Sequence, residues 1–203
     1  MSKMSYYIVD TETNGLKPGW HEVTEISIVR CSDRTQLTRR IKCRFPERSN
    51  DIALEITGKT IPDLLKGNEK LDVVKRCNEF FEEDGKDPES RCMVAHRASF
   101  DVSHCHSLWA EVNEVFPAHH WMDTIKFAQD WSKKIGVLPE EKTKTGNPSF
   151  KLASVLKFAG IKAMPGQHNA GSDARNTYLF WKKGMDLGID HLPSIKPYRH
   201  KIG

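Results

Sequence analysis

Apolar and polar positions along the chain change their period several times, and each change marks an element. Tyr6-Tyr7-Ile8-Val9 is a short apolar run closed by Asp10, and the turn residues Lys17-Pro18-Gly19 follow soon after. That pattern predicts a strand over residues 6–10. Residues 22–31 and 35–45 alternate with the period of two that a half-buried strand requires, joined by a turn at Ser32-Asp33-Arg34. The first three strands therefore read as an antiparallel meander. Residues 50–65 are mixed and predict only a short helix at 61–65, with Pro62 in its first turn. Leu71, Val74, Cys77, Phe80 and Phe81 then recur at helical spacing, which predicts an amphipathic helix over 69–83. Cys92-Met93-Val94-Ala95 is apolar throughout, the mark of a strand buried on both faces.

Helices dominate the second half. The pattern places them at 99–115, ending before Pro117, and at 123–134, after a short strand at 120–122. Two more follow at 150–159, closed by Gly160, and at 170–185. Residues 136–149 form a polar, glycine- and lysine-containing loop. Strands first, then strand and helix in alternation, predict an α/β domain with a mixed five-stranded sheet. A length of 203 residues suits one such domain, with its core at about 6–185 and a tail at 186–203.

Composition narrows the class without choosing a function. Hydrophobic residues at 38% against 29% charged residues exclude a disordered chain. No apolar run is long enough to cross a bilayer, and the N-terminus lacks the uninterrupted apolar stretch of a signal peptide. An intracellular, cytoplasmic protein is expected. The five scattered cysteines, without a C-x-x-C pair, read as reduced thiols. Cys92, His104, Cys105 and His106 are close in sequence, but their spacing fits no zinc ligand pair, and His104 and Cys105 project from different sides of a predicted helix. A net charge of +4 is compatible with a polyanionic substrate and equally with an ordinary surface.

Three short stretches carry candidate chemistry. Asp10 and Glu12 are one residue apart, so a strand sets both carboxylates on one face. Two adjacent acids repel unless protons or cations neutralise them, and hard oxygen ligands suit Mg²⁺ or Mn²⁺; many such pairs are merely surface charge. Val94 to Asp101 is a strand, a turn and a helix start, placing Asp101 where open α/β sheets gather functional groups. Taken alone, Asp101 fits equally the favourable end of a helix dipole. His168 precedes Asp173 by five residues at the start of the last helix. An imidazole there has the intrinsic pKa to take a proton from water, although a single loop histidine is commonly just solvated.

Together the three stretches resemble, in order and content, the motifs of the DEDDh superfamily of DnaQ-like 3′→5′ exonucleases. The pattern D-x-E-T-x-G-L stands here as Asp10 to Leu16, H-N-A-x-F-D as His96 to Asp101, and H-x₄-D as His168 to Asp173. Further familial stretches are His21 to Ile26, Ile56-Thr57-Gly58, Trp121 to Thr124 and Phe150-Lys151-Leu152. The likeness spans about residues 6–183. One position departs from it: Arg97 stands where the family has asparagine, bringing fixed charge and bulk to the turn.

The resemblance implies an RNase H-like three-layer fold and hydrolysis at the 3′ end of nucleic acid by two Mg²⁺ or Mn²⁺ ions, releasing nucleoside 5′-monophosphates. It makes Asp10, Glu12, Asp101 and Asp173 the metal ligands and His168 the general base. It also places Thr13, Gly15, Leu16, His96 and Phe100 around the terminal nucleotide, with Leu16 wedged against its base. Leu16 and Phe100 are equally suited to the core, and His96 to packing beneath the site. Single-stranded or frayed DNA is the implied substrate, with RNA as the alternative within the superfamily and a non-catalytic nucleic-acid-binding subunit as the alternative outside it. With no polymerase segment in the sequence, proofreading calls for a separate polymerase or another replication or repair protein. Lys142, Lys144 and Lys151, and Lys196, Arg199, His200 and Lys201 in the tail, are candidates for tracking a phosphate backbone or for simple solvation.

Overall fold

A computed structural model describes residues 4–166, 168–190 and 195–197. Six strands form one mixed sheet in the order β3-β2-β1-β4-β5-β6. They are β1 (Ser5–Thr13), β2 (Val23–Arg30), β3 (Gln36–Arg40), β4 (Arg91–Ala95), β5 (His120–Asp123) and β6 (Ile195–Pro197). The first three make the predicted antiparallel meander, and β4 joins β1 in parallel. The five expected strands are all present. The additional β6 pairs antiparallel with β5; three residues with no alternation left no pattern to read.

Among the described residues there are seven α-helices: α1 (Asp51–Thr57), α2 (Ile61–Leu64), α3 (Lys70–Glu82), α4 (Ala98–Ala110), α5 (Thr124–Ile135), α6 (Leu152–Phe158) and α7 (Ala170–Asp186). Strand pleating sorts β1 between two cores. Tyr7 and Val9 join Phe80, Phe81, Cys105 and Trp109 under α3 and α4. Ile8 joins Val94, Phe127, Trp131, Val155 and Phe180 under α5, α6 and α7. The layers are thus helix, sheet and helix, as the resemblance implied.

Several boundaries differ from expectation. Strand β3 ends at Arg40 rather than at 45, because beyond it the chain bridges to Asn68 and its ladder with β2 ends. Strand β1 runs on to Thr13 because its ladder with β2 continues, with a bulge between Glu12 and Thr13. Helix α4 ends at Ala110, five residues early, and its last carbonyls are met by the turn at Glu111 to Glu114. Helix α1 has no periodic signature, since none of its residues is buried. It is fixed instead by its ends: Asn50 accepts from the N–H groups of Ile52 and Ala53, and Gly58 closes it in the left-handed region at φ 63°.

Candidate active site at the carboxyl edge of the sheet

The strand order reverses between β1 and β4, and the crevice beyond their carboxyl ends is where α/β sheets bind ligands. Asp10 and Glu12 lie there on the face shared with Ile8, toward α7, which supplies Asp173 from its first turn. One carboxylate oxygen from each of these three residues lies within 4.8 Å of the others. Asp101 arrives from the opposite layer, on the first turn of α4. Its Oδ1 accepts from the Thr11 N–H at 2.9 Å and the Thr11 hydroxyl at 2.7 Å. Asp101 is therefore held behind the strand at Asp10 while standing outside the tight group of three. A pleat that sends Thr11 one way and Asp10 the other explains both facts.

The four acids are starved of compensating charge. Burial, then Asp101, Glu12, Asp173 and Glu25, push the Asp10 carboxyl far above the usual carboxylate range. Glu12, 8% exposed, is pushed to about 7 by burial, against the pull of Lys59 and with Asp173 and Glu25 adding to the rise. Burial raises Asp101 to about 7 despite the Thr11 hydrogen bonds. Burial also raises Asp173, although the His168 N–H donates to its Oδ2 at 3.1 Å. Crowded oxygen donors with their charge unmatched fit a divalent cation, which would replace the protons.

His168 is exposed at the mouth of this group, with backbone φ 62°, in the left-handed region that histidine enters more readily than most residues. Asn169 anchors the segment. Its side chain caps α7 by accepting from the Ser172 N–H, and donates at 3.2 Å to Oε1 of Glu25. Glu25, only 2% exposed, sits directly across the ladder from Glu12 and holds the Lys59 ammonium at 3.1 Å. Gln36 adds a hydrogen bond to the Gly171 carbonyl at 2.9 Å. Beside these residues opens a cleft of about 340 Å³ lined by Thr24, Glu25, Arg40, Lys59, His168 and Asn169. Glu25 lies in the familial stretch His21 to Ile26 and Lys59 directly follows Ile56-Thr57-Gly58, but sequence reasoning gave neither a role in the site. The cross-strand register Glu12 to Glu25 was the signal that would have found the first of them.

The expected substrate residues divide. Leu16 is 77% exposed, as a wedge requires and a core residue does not. Thr13 is buried, its hydroxyl donating to the Gly15 carbonyl at 2.6 Å, and a Cβ at Gly15 would stand 2.3 Å from the His21 ring. Only glycine fits that approach. Phe100 is half-buried with its ring centroid 4.5 Å from that of His104. His96 pairs through Nδ1 with the Thr124 hydroxyl at 2.8 Å, and burial lowers its pKa to about 4. Burial therefore favours the neutral imidazole. Arg97 is exposed in the left-handed region at φ 72°, and its N–H, with that of Ala98, donates to Asp123 at 3.2 Å. Lys142, Lys144 and Lys151 are exposed, as is Lys196 in β6; Arg199, His200 and Lys201 lie outside the described residues.

The family profile described as exonuclease, RNase T, matches residues 7–180, most of the chain. This protein belongs to the exonuclease family. Its DEDDh motifs and mixed sheet agree with that membership, which implies nuclease chemistry and dependence on divalent metal. Among solved structures, exonuclease I of E. coli bound to a dT13 oligonucleotide superposes with a TM-score of 0.74 at 17% identity, over 92% of this chain and 43% of that one. Exonuclease I of Methylocaldum szegediense gives 0.72 at 19% identity, over 90% and 40%. Cell-death related nuclease 4 gives 0.73 at 11% identity, over 92% and 65%. These identities establish a shared fold, and the exonuclease spans less than half the length of the exonuclease I chains. No curated protein matches the sequence. Among the described residues no helix is long and apolar enough to cross a membrane.

Proposed function

We propose that this exonuclease removes nucleotides from the 3′ end of single-stranded DNA, releasing nucleoside 5′-monophosphates. The observation that carries the reading is the convergence of Asp10, Glu12 and Asp173 within 4.8 Å, with His168 at the mouth. The fold neighbours add support, since exonuclease I has been solved with dT13 and dA16 oligonucleotides. Asp10, Glu12 and Asp173 would hold divalent cations, with Asp101 behind them. When bound, such ions activate water and neutralise charge on a phosphodiester. His168 takes the proton of the attacking water, and the bond from phosphorus to the 3′-oxygen breaks. Leu16 separates the terminal base from its neighbour, and the buried Thr13 to Gly15 segment meets the terminal sugar through its backbone. The Asn169 and Glu25 contacts fix the segment that bears His168, so that the base is aimed rather than loose.

Incubation with 3′- and 5′-labelled DNA strands, duplexes and RNA, with Mg²⁺, Mn²⁺ or chelator, tests the reading. Shortening from the 3′ end of single-stranded DNA, dependent on metal, is expected. His168→Ala should lose turnover by roughly a hundredfold. Shortening from the 5′ end, or full turnover in that variant, would refute the polarity or the base respectively.

A further inference from the structure

The hairpin that leaves β1 carries more than the Leu16 wedge. Trp20 lies on it at 49% exposure, and the Arg48 guanidinium stacks on the Trp20 ring at 4.3 Å. The same guanidinium lies over the Phe45 ring, 3.9 Å from its centroid. Arg44 covers the same ring at 5.0 Å. Among the described residues neither guanidinium has a carboxylate partner, so the stack is aromatic, cationic and open to solvent.

The stack is also rigidly tied to the candidate active site. Buried Asn14, two residues past Glu12, accepts from the Asn50 N–H at 2.8 Å through its carbonyl and from the Glu22 N–H at 2.6 Å through its side chain. Its side-chain amide donates to the Ser49 hydroxyl at 3.2 Å. Glu22 in turn accepts from the Phe45 N–H at 2.7 Å. One buried asparagine thus locks the loop bearing Phe45 and Arg48 to the segment bearing Gly15 and Leu16.

We propose that Trp20, held by Arg48 and Phe45, is a stacking platform for a nucleobase of the single strand upstream of the scissile bond, with Arg44 and Arg48 drawing in its phosphates. This rests on the exonuclease reading and extends it past the terminal nucleotide. Base stacking on an exposed ring tolerates any sequence, and guanidinium groups with no acid partner favour a polyanion over an apolar protein face. Lys17 on the same hairpin adds to the positive field. A strand split at Leu16 would meet the platform within the same loop.

The test compares two substrates that differ only in what lies upstream. A DNA oligonucleotide reaches the platform; thymidine 5′-(p-nitrophenyl phosphate) has one phosphodiester, no upstream base, and reports the reacting site directly. In Trp20→Ala, kcat/KM for the oligonucleotide divided by that for the ester should fall roughly tenfold, through KM. Trp20→Phe should restore most of that ratio, and Arg48→Gln should lower it and flatten its salt dependence. A 2-aminopurine upstream of the 3′ nucleotide should be quenched on binding to wild type and less so to Trp20→Ala. A ratio in Trp20→Ala within about twofold of wild type, including equal loss on both substrates, would overturn the platform. Wild type inactive on both substrates would instead remove the exonuclease reading itself.

Discussion

Two buried acidic clusters flank the paired strands β1 and β4, and they solve opposite problems. At the amino end, Asp84 accepts from Nη2 of Arg91 at 2.8 Å and from the Tyr7 hydroxyl at 2.7 Å. Arg91 completes its bonding on the carbonyls of Phe81 and Pro117. Burial alone would raise the Asp84 pKa, yet the Arg91 and Tyr7 hydrogen bonds hold it below the ordinary value. At the carboxyl end Asp10, Glu12, Asp101 and Asp173 are raised together. Lys59, the nearby cation, is bound to Glu25. One cluster carries its own counter-charge; the other leaves its charge unmatched by nearby side chains. Burial is common to both and so identifies neither as functional. The unmatched oxygen donors are what fit a divalent cation.

The comparison breaks most sharply at Asp10. If Asp10 holds metal as proposed, Asp10→Asn should abolish turnover by at least about 10⁴-fold, on the order of 5 kcal/mol. Because it also removes repulsion, the metal-free variant should melt higher than metal-free wild type. Mn²⁺ should stabilise wild type and leave the variant nearly unchanged. Thermal melts with and without chelator check this, and a variant that melts lower would contradict the picture of an unneutralised cluster.

The opposite end predicts the opposite response. Arg91→Leu strands the Asp84 charge and two carbonyls, which should cost about 3–5 kcal/mol in urea unfolding. Replacing both partners together, with Arg91→Met and Asp84→Leu, should recover most of that loss. Replacing the site acids would cost activity whatever it did for stability, whereas here neither change touches the reacting groups.

A pH series sharpens the contrast. In chelator, the folded Glu12 value of about 7 lies above its ordinary 4.5. The folded state therefore binds the proton more tightly, and this stabilisation is complete below about pH 4.5 and lost as the pH rises through 7. The loss is on the order of 3 kcal/mol for Glu12 alone. Glu12→Gln should flatten that dependence, and divalent metal should remove it in wild type. A pH profile identical in wild type and Glu12→Gln would mean that Glu12 is solvated after all.

Much of this was legible before the fold was known. The i, i+2 pairing of Asp10 and Glu12 follows from strand geometry, and the three motifs kept their order, so the acids that converge and the meander could be read directly. The sequence left open what depends on register or long-range packing. Glu25 lies opposite Glu12 only because β1 and β2 pair as they do. Lys59 comes from beyond α1, a helix without a buried face, and the Trp20, Arg48 and Phe45 stack joins two loops. Asp101 was read correctly as opening a helix, but only the pleat shows that it reaches the edge from the other layer.

Arg97 offers the smallest effect and a precise one. By charge and bulk alone, the family's asparagine at this position reads as a choice of side-chain chemistry at the turn. The backbone gives a simpler account: φ is 72° where the chain turns from β4 into α4, and asparagine enters the left-handed region more readily than arginine. Among the described residues the Arg97 side chain has no charged partner, and its N–H, which any residue but proline supplies, makes the contact to Asp123. Arg97→Asn should therefore raise stability by up to about 1 kcal/mol, read as a higher melting temperature. If the side chain also meets a phosphate, the same variant should bind DNA more weakly with a shallower salt dependence. If it serves the turn alone, binding stays as it was while the melt moves. A melt that does not move would return the asparagine preference to the chemistry of the site.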